Sequence, residues 1–198
     1  GSKAGINDII TINNKKYIIT EDLFKLETRV IVYHKKCGEI VSKKNATTKN
    51  TVFEKLPYIK NKWINIGRLD VNTSGLLLFT NNGDLAHKLM HPSSNIERIY
   101  RVKIKGDFNR DKIILCKRGV DIGNNEIGCF TKIIKDGKNN YLLTLNTGKN
   151  REIRRVLTKI NCKVEQLQRI SYGPINLKRL PEGQCRALKS SEVKLFFN

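Results

Sequence analysis

The alternation of apolar and polar residues in the first part of the chain predicts short strands. Residues 9–12 alternate and residues 17–19 are apolar again. The Asn-Asn pair at 13–14 between them is a turn signal, so the pattern predicts a small hairpin. Apolar runs of strand length follow at residues 30–33 and 76–79, and both are predicted to be buried strands.

The strand pattern continues toward the end of the chain. Apolar and basic residues alternate from residue 99 to 105, which predicts a strand with one face in the core and a basic face exposed to solvent. An Asp-Gly turn at 136–137 joins two apolar segments and predicts a β-hairpin. The later predicted strands cover residues 127–134, 141–145, 164–171 and 185–188.

Helical periodicity appears between these strands. Thr51 is the expected cap of a short helix that ends at Pro57, and Asn150 is the expected cap of a later one. In that later helix Ile153, Val156, Leu157 and Ile160 recur at i, i+3, i+4 and i+7, which predicts a buried face. The other predicted helices cover residues 84–90, 107–118 and 191–197.

The order of these elements predicts the fold class. Strands that arrive as hairpins, with helices between them, favour an α+β fold over a doubly wound parallel sheet. We therefore expect a mixed, largely antiparallel sheet with flanking helices.

The composition adds a strong positive charge to this picture. The 198 residues include 38 Lys and Arg against 18 Asp and Glu, a formal net charge of +20. A chain of this length forms one domain or two small lobes. Its charge favours a polyanionic partner, and nucleic acid is the leading class.

Two classes of protein are disfavoured by the sequence. No stretch approaches the roughly 18 apolar residues of a membrane span. The five cysteines are odd in number and contain no C-x-x-C pair, which argues against a disulfide framework and a tetrahedral zinc site. The sequence therefore predicts a cytoplasmic protein with five buried or inert thiols and no membrane partner.

The segment GRLDVNTSG at residues 67–75 is the first candidate for chemistry. It places Asp70 beside Arg68 in a glycine-bounded loop before a buried strand, where a scaffold can present a catalytic carboxylate. The same spacing fits an Asx turn, in which Asp70 bonds to the backbone near Asn72. The spacing alone leaves both interpretations open.

A second candidate is the segment TGKNREIRR at residues 147–155. Guanidiniums at the start of a helix oppose the helix dipole, so a phosphate or a carboxylate such as Asp70 is expected to compensate them. The competing interpretation is a solvated basic face made of Arg151, Arg155 and Lys159. Arg154 is turned halfway to the core and fits that interpretation less well.

Aromatic and histidine side chains add one further candidate. Tyr100 begins the alternating strand on its apolar face, where a ring is typical of the core but can also stack on an extruded RNA base. His34, His87 and His91 share no spacing with acids or cysteines that predicts a metal site or a catalytic triad.

Four motifs together resemble the RsuA/RluB family of bacterial ribosomal-RNA pseudouridine synthases. They read GRLDVNTSGLLLFTNNGDLAHKLMHPS, ERIYRVKIKG, TGKNREIRRVL and RISYGPINL, in the family's order and spacing from about Arg29 to about Leu188. One departure is Lys36, which stands where the family's K-P-x-G motif has a proline, so the turn loses a fixed φ.

The resemblance implies a two-lobed catalytic fold with a central cleft, and it assigns roles to three residues. Asp70 falls on the family's catalytic aspartate, and Arg154 falls on the basic residue that pairs with it and keeps it charged. Tyr100 falls on the tyrosine that packs against the target base and assists loss of the C5 proton. Further residues are expected to shape the loop, line the pocket or bind phosphates: Arg68, Thr73, Ser74, Leu157, Arg151 and Arg155.

The resemblance also implies the reaction and its substrate. A uridine extruded from an rRNA hairpin would lose its base from C1′, and the base would turn and rejoin through C5, with Asp70 as nucleophile or base. No cofactor and no metal are expected, and the chain is expected to be a monomer. The K-x-x-G-E segment at residues 35–39, with Val71-Asn72-Thr73, resembles the large-subunit branch more than the small-subunit one.

Two other function classes stay open. A non-catalytic rRNA-binding or ribosome-assembly protein would keep the fold and the charge without needing Asp70. A metal-dependent ribonuclease would need clustered acids, and Asp70, Asp84, Asp107 and Asp111 show no recognisable ligand pattern.

The chain is predicted to divide into two parts. Residues 1–28 resemble the end of a small S4-like RNA-binding module and a linker, and residues 29–198 are expected to form the catalytic domain. Gly1-Ser2 resembles the remnant of a cleaved tag, so the chain is expected to be a piece of a longer protein.

Overall fold

The computed structural model describes residues 4–20, 27–43 and 50–197. The predicted hairpin near the start is present, and its two strands pair Ile9 with Ile18 and Ile12 with Lys15. Gly1-Ser2 lies outside the described residues, as does most of the predicted loop at 42–50.

The described strands and helices are short. The strands are β1 Ile9–Ile12, β2 Lys15–Ile18, β3 Val30–Lys35, β4 Ile64–Ile66, β5 Ser74–Thr80, β6 Arg98–Lys105, β7 Val120–Asp121, β8 Ile127–Gly128, β9 Lys132–Lys135, β10 Asn140–Leu145, β11 Lys163–Tyr172, β12 Ile175–Asn176 and β13 Cys185–Ala187. The helices are α1 Gly83–Met90, α2 Arg110–Arg118, α3 Glu152–Lys159 and α4 Ser190–Lys194, with 3-10 turns at Val52–Lys55 and Pro92–Ser94.

Nine of these strands form one sheet. Its order is β13-β3-β5-β11-β6-β10-β9, with β4 paired to β5 and β12 paired to β11. Within this described sheet β5 and β11 are the parallel pair, joined at Ser74 with Gln168 and at Gly75 with Arg169, and its other pairs are antiparallel. The predicted α+β class and the mixed, largely antiparallel sheet are confirmed.

The parallel pair divides the sheet into two lobes. The β3–β5 half contains β13, β3, β5 and β4, and the β6–β10 half contains β11, β12, β6, β10 and β9. The β3–β5 half has an apolar cluster on each face, one covered by α1 and the other by the segment that contains Trp63 and Leu69. The β6–β10 half has one cluster, to which α3 contributes. Tyr100 contacts a cluster of each half, so the two lobes meet at this ring.

The predicted strand over residues 127–134 is wrong in its extent. It is divided into β8, which pairs with β7, and β9, which pairs with β10. Between them Phe130 is buried, and its backbone N–H donates to the carbonyl of Cys116 in the last turn of α2. Burial of this ring against α2 turns the chain away from a single straight strand.

The described thiols are all free, and no described helix has the length and apolar character needed to cross a bilayer. Cys37 is exposed, whereas the thiols at 116, 129, 162 and 185 are buried or half-buried. Cys116 lies in the core of the β6–β10 half, where its side chain is inaccessible.

The buried thiol of Cys116 makes the stability of the protein depend on pH. Burial raises the pKa of Cys116 from 9.0 to about 12, so above pH 9 the unfolded chain binds fewer protons than the folded one. We expect the free energy of unfolding to fall by about 1.4 kcal/mol per pH unit in that window from this group alone. Urea unfolding between about pH 8 and pH 11 measures the slope.

The matched pair of variants is Cys116→Ala and Cys37→Ala, the second at an exposed thiol. Cys116→Ala should flatten the decline of stability above pH 9, although it also removes some core packing at every pH. Equal slopes in both variants would contradict this origin of the pH dependence.

Candidate active site

Asp70 lies in the loop that connects β4 to β5. The loop is closed by the backbone, because the N–H of Thr73 donates to the carbonyl of Asp70 at 3.0 Å. Among the described residues the Asp70 carboxylate accepts no hydrogen bond, so the Asx-turn interpretation is wrong. The side chain is 34% exposed, which makes the carboxylate available to a ligand.

The side chain of Lys35 donates hydrogen bonds to the backbone of this loop. The side chain is buried at the end of β3, and its ammonium donates to the carbonyls of Lys36 at 2.9 Å, Val71 at 3.3 Å and Thr73 at 2.8 Å. Burial lowers the pKa of Lys35, whereas the charges of Cys37, Glu39 and Asp70 raise it. The ammonium therefore fixes the part of the loop that follows Asp70 and is coupled electrostatically to the Asp70 carboxylate.

Lys35 was missed by the sequence analysis, although a signal for it exists. Ile31, Tyr33 and Lys35 alternate on one face of β3, and the first two belong to the apolar cluster. A lysine that continues a core face must find buried acceptors, since an unpaired buried charge is very costly. The three loop carbonyls are those acceptors.

Glu39 completes the turn that begins at Lys35. Its buried carboxylate accepts the Tyr33 hydroxyl at 2.7 Å and the backbone N–H of Lys36 at 2.8 Å. Proline at position 36 could not donate this hydrogen bond. The departure from the family motif at Lys36 is therefore compensated by a hydrogen bond that fixes the same turn.

Two arginines of the α3 region approach the loop from the β6–β10 half. Arg154 donates to the carbonyl of Asn72 at 2.8 Å, and the Arg151 guanidinium lies 3.9 Å from the Asp70 carboxylate. The carboxylate that was expected to compensate the arginines at this helix start is thus Asp70. The arginine that pairs with the Asp70 carboxylate is Arg151. Arg154 acts on the loop backbone, where the resemblance implied a direct pair with Asp70.

The electrostatic environment of Arg154 is that of a partly buried cation. Burial and the neighbouring Arg151 lower the pKa of Arg154, and Asp70 and Cys37 raise it. Its Nε is buried and has no hydrogen-bond partner among the described residues. Buried donors of this kind are rare and concentrate at functional sites.

The loop before α3 is organised by Glu152 and not by Asn150, so the predicted Asn150 cap is wrong. The buried Glu152 carboxylate accepts the Thr147 hydroxyl at 2.7 Å and the backbone N–H of Lys149 at 3.3 Å. Arg151 takes the N-cap position in the left-handed region, with φ of 50°. From this left-handed backbone position the Arg151 side chain extends to the Asp70 carboxylate.

Arg98 supports the same loop from β6. Its guanidinium donates to the carbonyls of Asn146 at 3.0 Å and Thr147 at 3.3 Å and lies over the ring of Tyr172. Sequence analysis missed Arg98, because its acceptors are 48 and 49 positions away along the chain.

Arg155 is placed apart from this cluster. Its guanidinium donates to the carbonyls of Ile122 and Gly123 and pairs with the carboxylate of Glu126. Its predicted role in substrate binding stays a prediction, and these internal partners do not favour it.

The other predicted residues have different exposures. Arg68 is exposed, and Tyr100 is half-buried between the two apolar clusters. Thr73 and Ser74 are buried at the start of β5, and Leu157 is completely buried in the α3 core face, which matches the predicted periodicity. The role of Leu157 in lining the pocket stays a prediction, and its complete burial does not favour it.

The arrangement presents one carboxylate, held by its loop backbone, opposite two guanidiniums at the junction of two lobes. Such a site can bind an anionic ligand through the cations and use the carboxylate as nucleophile or base. Among the described residues, no three His, Cys, Asp or Glu side chains come together as a set of metal ligands.

The chain is similar to known proteins in sequence and in fold. The sequence model of the RNA pseudouridylate synthase family matches residues 29–159. A solved structure described as a pseudouridylate synthase superposes with a TM-score of 0.80 at 25% identity, covering 94% of this chain and 83% of that chain.

Curated relatives are more similar in sequence. The chain is 44% identical over 197 residues to ribosomal large subunit pseudouridine synthase B of Buchnera aphidicola subsp. Schizaphis graminum, covering 96% of this chain and 76% of the relative. It is 39% identical over 171 residues to the protein of that name from Vibrio vulnificus, covering 83% of this chain and 53% of the relative. The chain thus spans about half the length of some relatives and three quarters of others.

Proposed function

The chain belongs to the RNA pseudouridylate synthase family, and on this premise we propose that it isomerises uridine to pseudouridine in the ribosomal RNA of the large subunit. The observation that carries the proposal is the Asp70 loop. Its carboxylate is partly exposed and free of backbone hydrogen bonds, while Lys35 and Arg154 hold its carbonyls. The names of the curated relatives support the large subunit as the source of the substrate.

The proposed reaction takes place on a uridine that is flipped out of an RNA hairpin. The bond from the ribose C1′ to N1 of the base breaks, the base turns, C1′ bonds to C5, the C5 proton is released, and N1 takes up a proton. Asp70 serves as nucleophile or as base on the sugar, and the Tyr100 ring stacks on the base and assists removal of the C5 proton. The place of Tyr100 where the two lobes meet supports this assignment.

The same proposal covers the partners and the parts of the chain. We assign RNA phosphates to the exposed basic side chains, with no metal and no cofactor, and we propose a monomer that acts in the cytoplasm. Residues 29–198 are proposed as the catalytic domain and residues 1–28 as the remnant of an RNA-binding module. The start of the family match at residue 29 supports this division.

The experiment that tests the function is tritium release from RNA transcripts labelled at C5 of uridine. Release from a large-subunit transcript, in the presence of a chelator, is the expected result. Release only from a small-subunit transcript would contradict the assigned substrate, and release that a chelator abolishes would contradict the metal-free reaction. RNA binding without release from either transcript, or from partly assembled subunits, would favour the non-catalytic alternative.

Arg151 and Arg155 are expected to differ in their effects on RNA binding. Arg151→Gln removes an exposed guanidinium beside Asp70, so the slope of log affinity against log salt should fall by about 0.7 to 0.9. Arg155→Gln should leave that slope unchanged and reduce the free energy of unfolding by about 1 to 3 kcal/mol, because its backbone and Glu126 contacts are internal.

Filter binding of a large-subunit transcript over a series of salt concentrations, with urea unfolding in parallel, measures both effects. A lower salt slope in Arg155→Gln at unchanged stability would show that Arg155, and not only Arg151, contacts phosphate.

A further inference from the structure

A concavity outside the cluster around Asp70 is lined by residues of the segment that connects β3 to β4. It has a volume of about 520 Å³, and its lining includes Lys43, Phe53, Leu56, Tyr58, Lys62 and Trp63. None of these residues has a place in the reaction described above. The concavity, which we call the Tyr58 pocket, therefore needs an explanation of its own.

Three aromatic rings line the Tyr58 pocket, those of Phe53, Tyr58 and Trp63, and we call them its platform. Tyr58 is 94% exposed, although a tyrosine ring usually buries much of its apolar surface. Phe53 is fixed edge-on against the buried Phe79, with ring centres 5.5 Å apart, and Lys43 lies 5.4 Å from the centre of the Phe53 ring. An open face of this kind can accept a flat ring between aromatic side chains.

The platform is held in place before any ligand arrives. The indole N–H of Trp63 donates to the carbonyl of Pro57 at 2.8 Å, which closes the loop that carries Tyr58. Trp63 is itself buried in the apolar cluster of this face. A loop that is already ordered loses little conformational entropy on binding, so the pocket is suited to a small rigid ligand.

The charge around the pocket indicates an anionic ligand. Lys43 and Lys62 line it, and Lys55 and Lys60 are exposed on the same segment. Glu54 is the single acid among the lining residues. Aromatic rings combined with lysines match a nucleotide, since the base stacks and the phosphate pairs with the cations.

The pocket and the candidate active site share one apolar cluster. Phe53 and Leu56 pack on the same apolar cluster as Leu69, which directly precedes Asp70, and Tyr100 packs on this cluster as well. An RNA strand that placed its target uridine at Asp70 would therefore approach the face of the β3–β5 half that carries the pocket.

We propose that the Tyr58 pocket binds an unpaired nucleotide of the RNA substrate other than the target uridine, with its base stacked on Tyr58 and Phe53 and its phosphate at Lys43 or Lys62. This inference rests on the proposed function for the identity of the ligand as RNA. It assigns to residues 53–63 a role in substrate selection that is separate from the chemistry at Asp70.

Trp63 provides a direct test, because it is the only tryptophan of the chain. Its fluorescence is recorded while a single-stranded oligouridine of about ten nucleotides is added to the chain in its Asp70→Asn form, so that binding is measured without turnover. We expect the RNA to change the Trp63 emission. Tyr58→Ala should weaken binding about 5- to 150-fold, the loss of one base–ring stack of about 1 to 3 kcal/mol.

Two further variants separate stacking from general effects. Tyr58→Phe keeps the ring and should restore the affinity. Phe197→Ala removes an exposed aromatic ring outside the pocket lining and should leave the affinity unchanged. Equal RNA affinity in Tyr58→Ala and the parent, or a Trp63 emission that RNA does not change, would overturn the proposal. Saturation of the emission by an apolar peptide but not by RNA would overturn it as well.

The pocket proposal and the proposed reaction can fail separately. A chain that releases no tritium but loses RNA affinity in Tyr58→Ala would keep the pocket and refute the synthase function. A chain that releases tritium with unchanged RNA affinity in Tyr58→Ala would keep the synthase function and refute the role of the pocket.

Discussion

Asp70→Asn is expected to abolish tritium release from C5-labelled RNA, with a loss of at least about 10⁴-fold in rate. The amide keeps the size and shape of the side chain but can act neither as the nucleophile nor as the base. The fold should tolerate the change, because the carboxylate accepts no hydrogen bond from the described residues and its ion pair with Arg151 is long and exposed. Pairs of that kind contribute about 0 to 1 kcal/mol to stability.

The measurement compares Asp70→Asn with Asp84→Asn, which neutralises an exposed acid in the first turn of α1. Both variants should unfold at nearly the same urea concentration as the parent, and only Asp70→Asn should lose activity. Substantial tritium release by a folded Asp70→Asn protein would refute the catalytic assignment.

Gly75→Ala is expected to prevent stable folding, at a cost of more than about 4 kcal/mol. Gly75 has a φ of +110°, and a Cβ at this position would lie 2.2 Å from the carbonyl oxygen and 2.6 Å from the backbone nitrogen of Arg169. Both atoms belong to the backbone of β11, so neither can move without separating the parallel pair. The side chain of Arg169 also donates to the carbonyl of Leu76 at 2.7 Å, which fixes the two strands at this distance.

The control for this prediction is Gly67→Ala. Gly67 also has a positive φ, of +73°, but a Cβ there would have no neighbour within 4 Å. Gly67→Ala should lower the free energy of unfolding by only about 1 to 2 kcal/mol, the strain of an alanine in the left-handed region. Urea unfolding of both variants measures the difference. Similar losses at the two positions would show that the close approach of β5 and β11 is not what requires glycine.

Much of the fold could be predicted because it depends on local pattern. Strict alternation placed the core face of β6, and the i, i+3, i+4, i+7 pattern placed the buried face of α3. Both patterns record which side chains face the core, whatever packs against them. Errors arose where a distant contact decided the local structure. Phe130 binds back to α2 and divides a predicted strand, and Glu152 replaces Asn150 as the organiser of a loop.

The candidate site was predicted in part for the same reason. Asp70 stands out because its loop is unusual over nine consecutive residues. The Lys35 ammonium could not be placed, because its acceptors at Val71 and Thr73 are 36 and 38 positions further along the chain. The α3 pattern places Arg155 on the solvent-exposed face of the helix. In the structure its guanidinium donates to the carbonyl of Ile122 and pairs with the Glu126 carboxylate, both in the loop at residues 122–126. Periodicity describes one element and does not show which other element covers it.

The parallel joint between β5 and β11 has a consequence for the order of folding. Its hydrogen bond from Arg169 to Leu76 closes a loop of 93 residues, whereas β6 and β10 pair across 37 to 47 positions, from Asn140 with Lys103 to Leu145 with Arg98. Contacts between distant positions must first overcome the entropy of closing the loop, so they form late. We expect the β6–β10 half to become ordered first and the joint to close afterwards. Because Asp70 comes from one side of that joint and Arg151 and Arg154 from the other, the site would be assembled in the last step of folding. A partly folded chain would then bind RNA through its charge long before it could react with it.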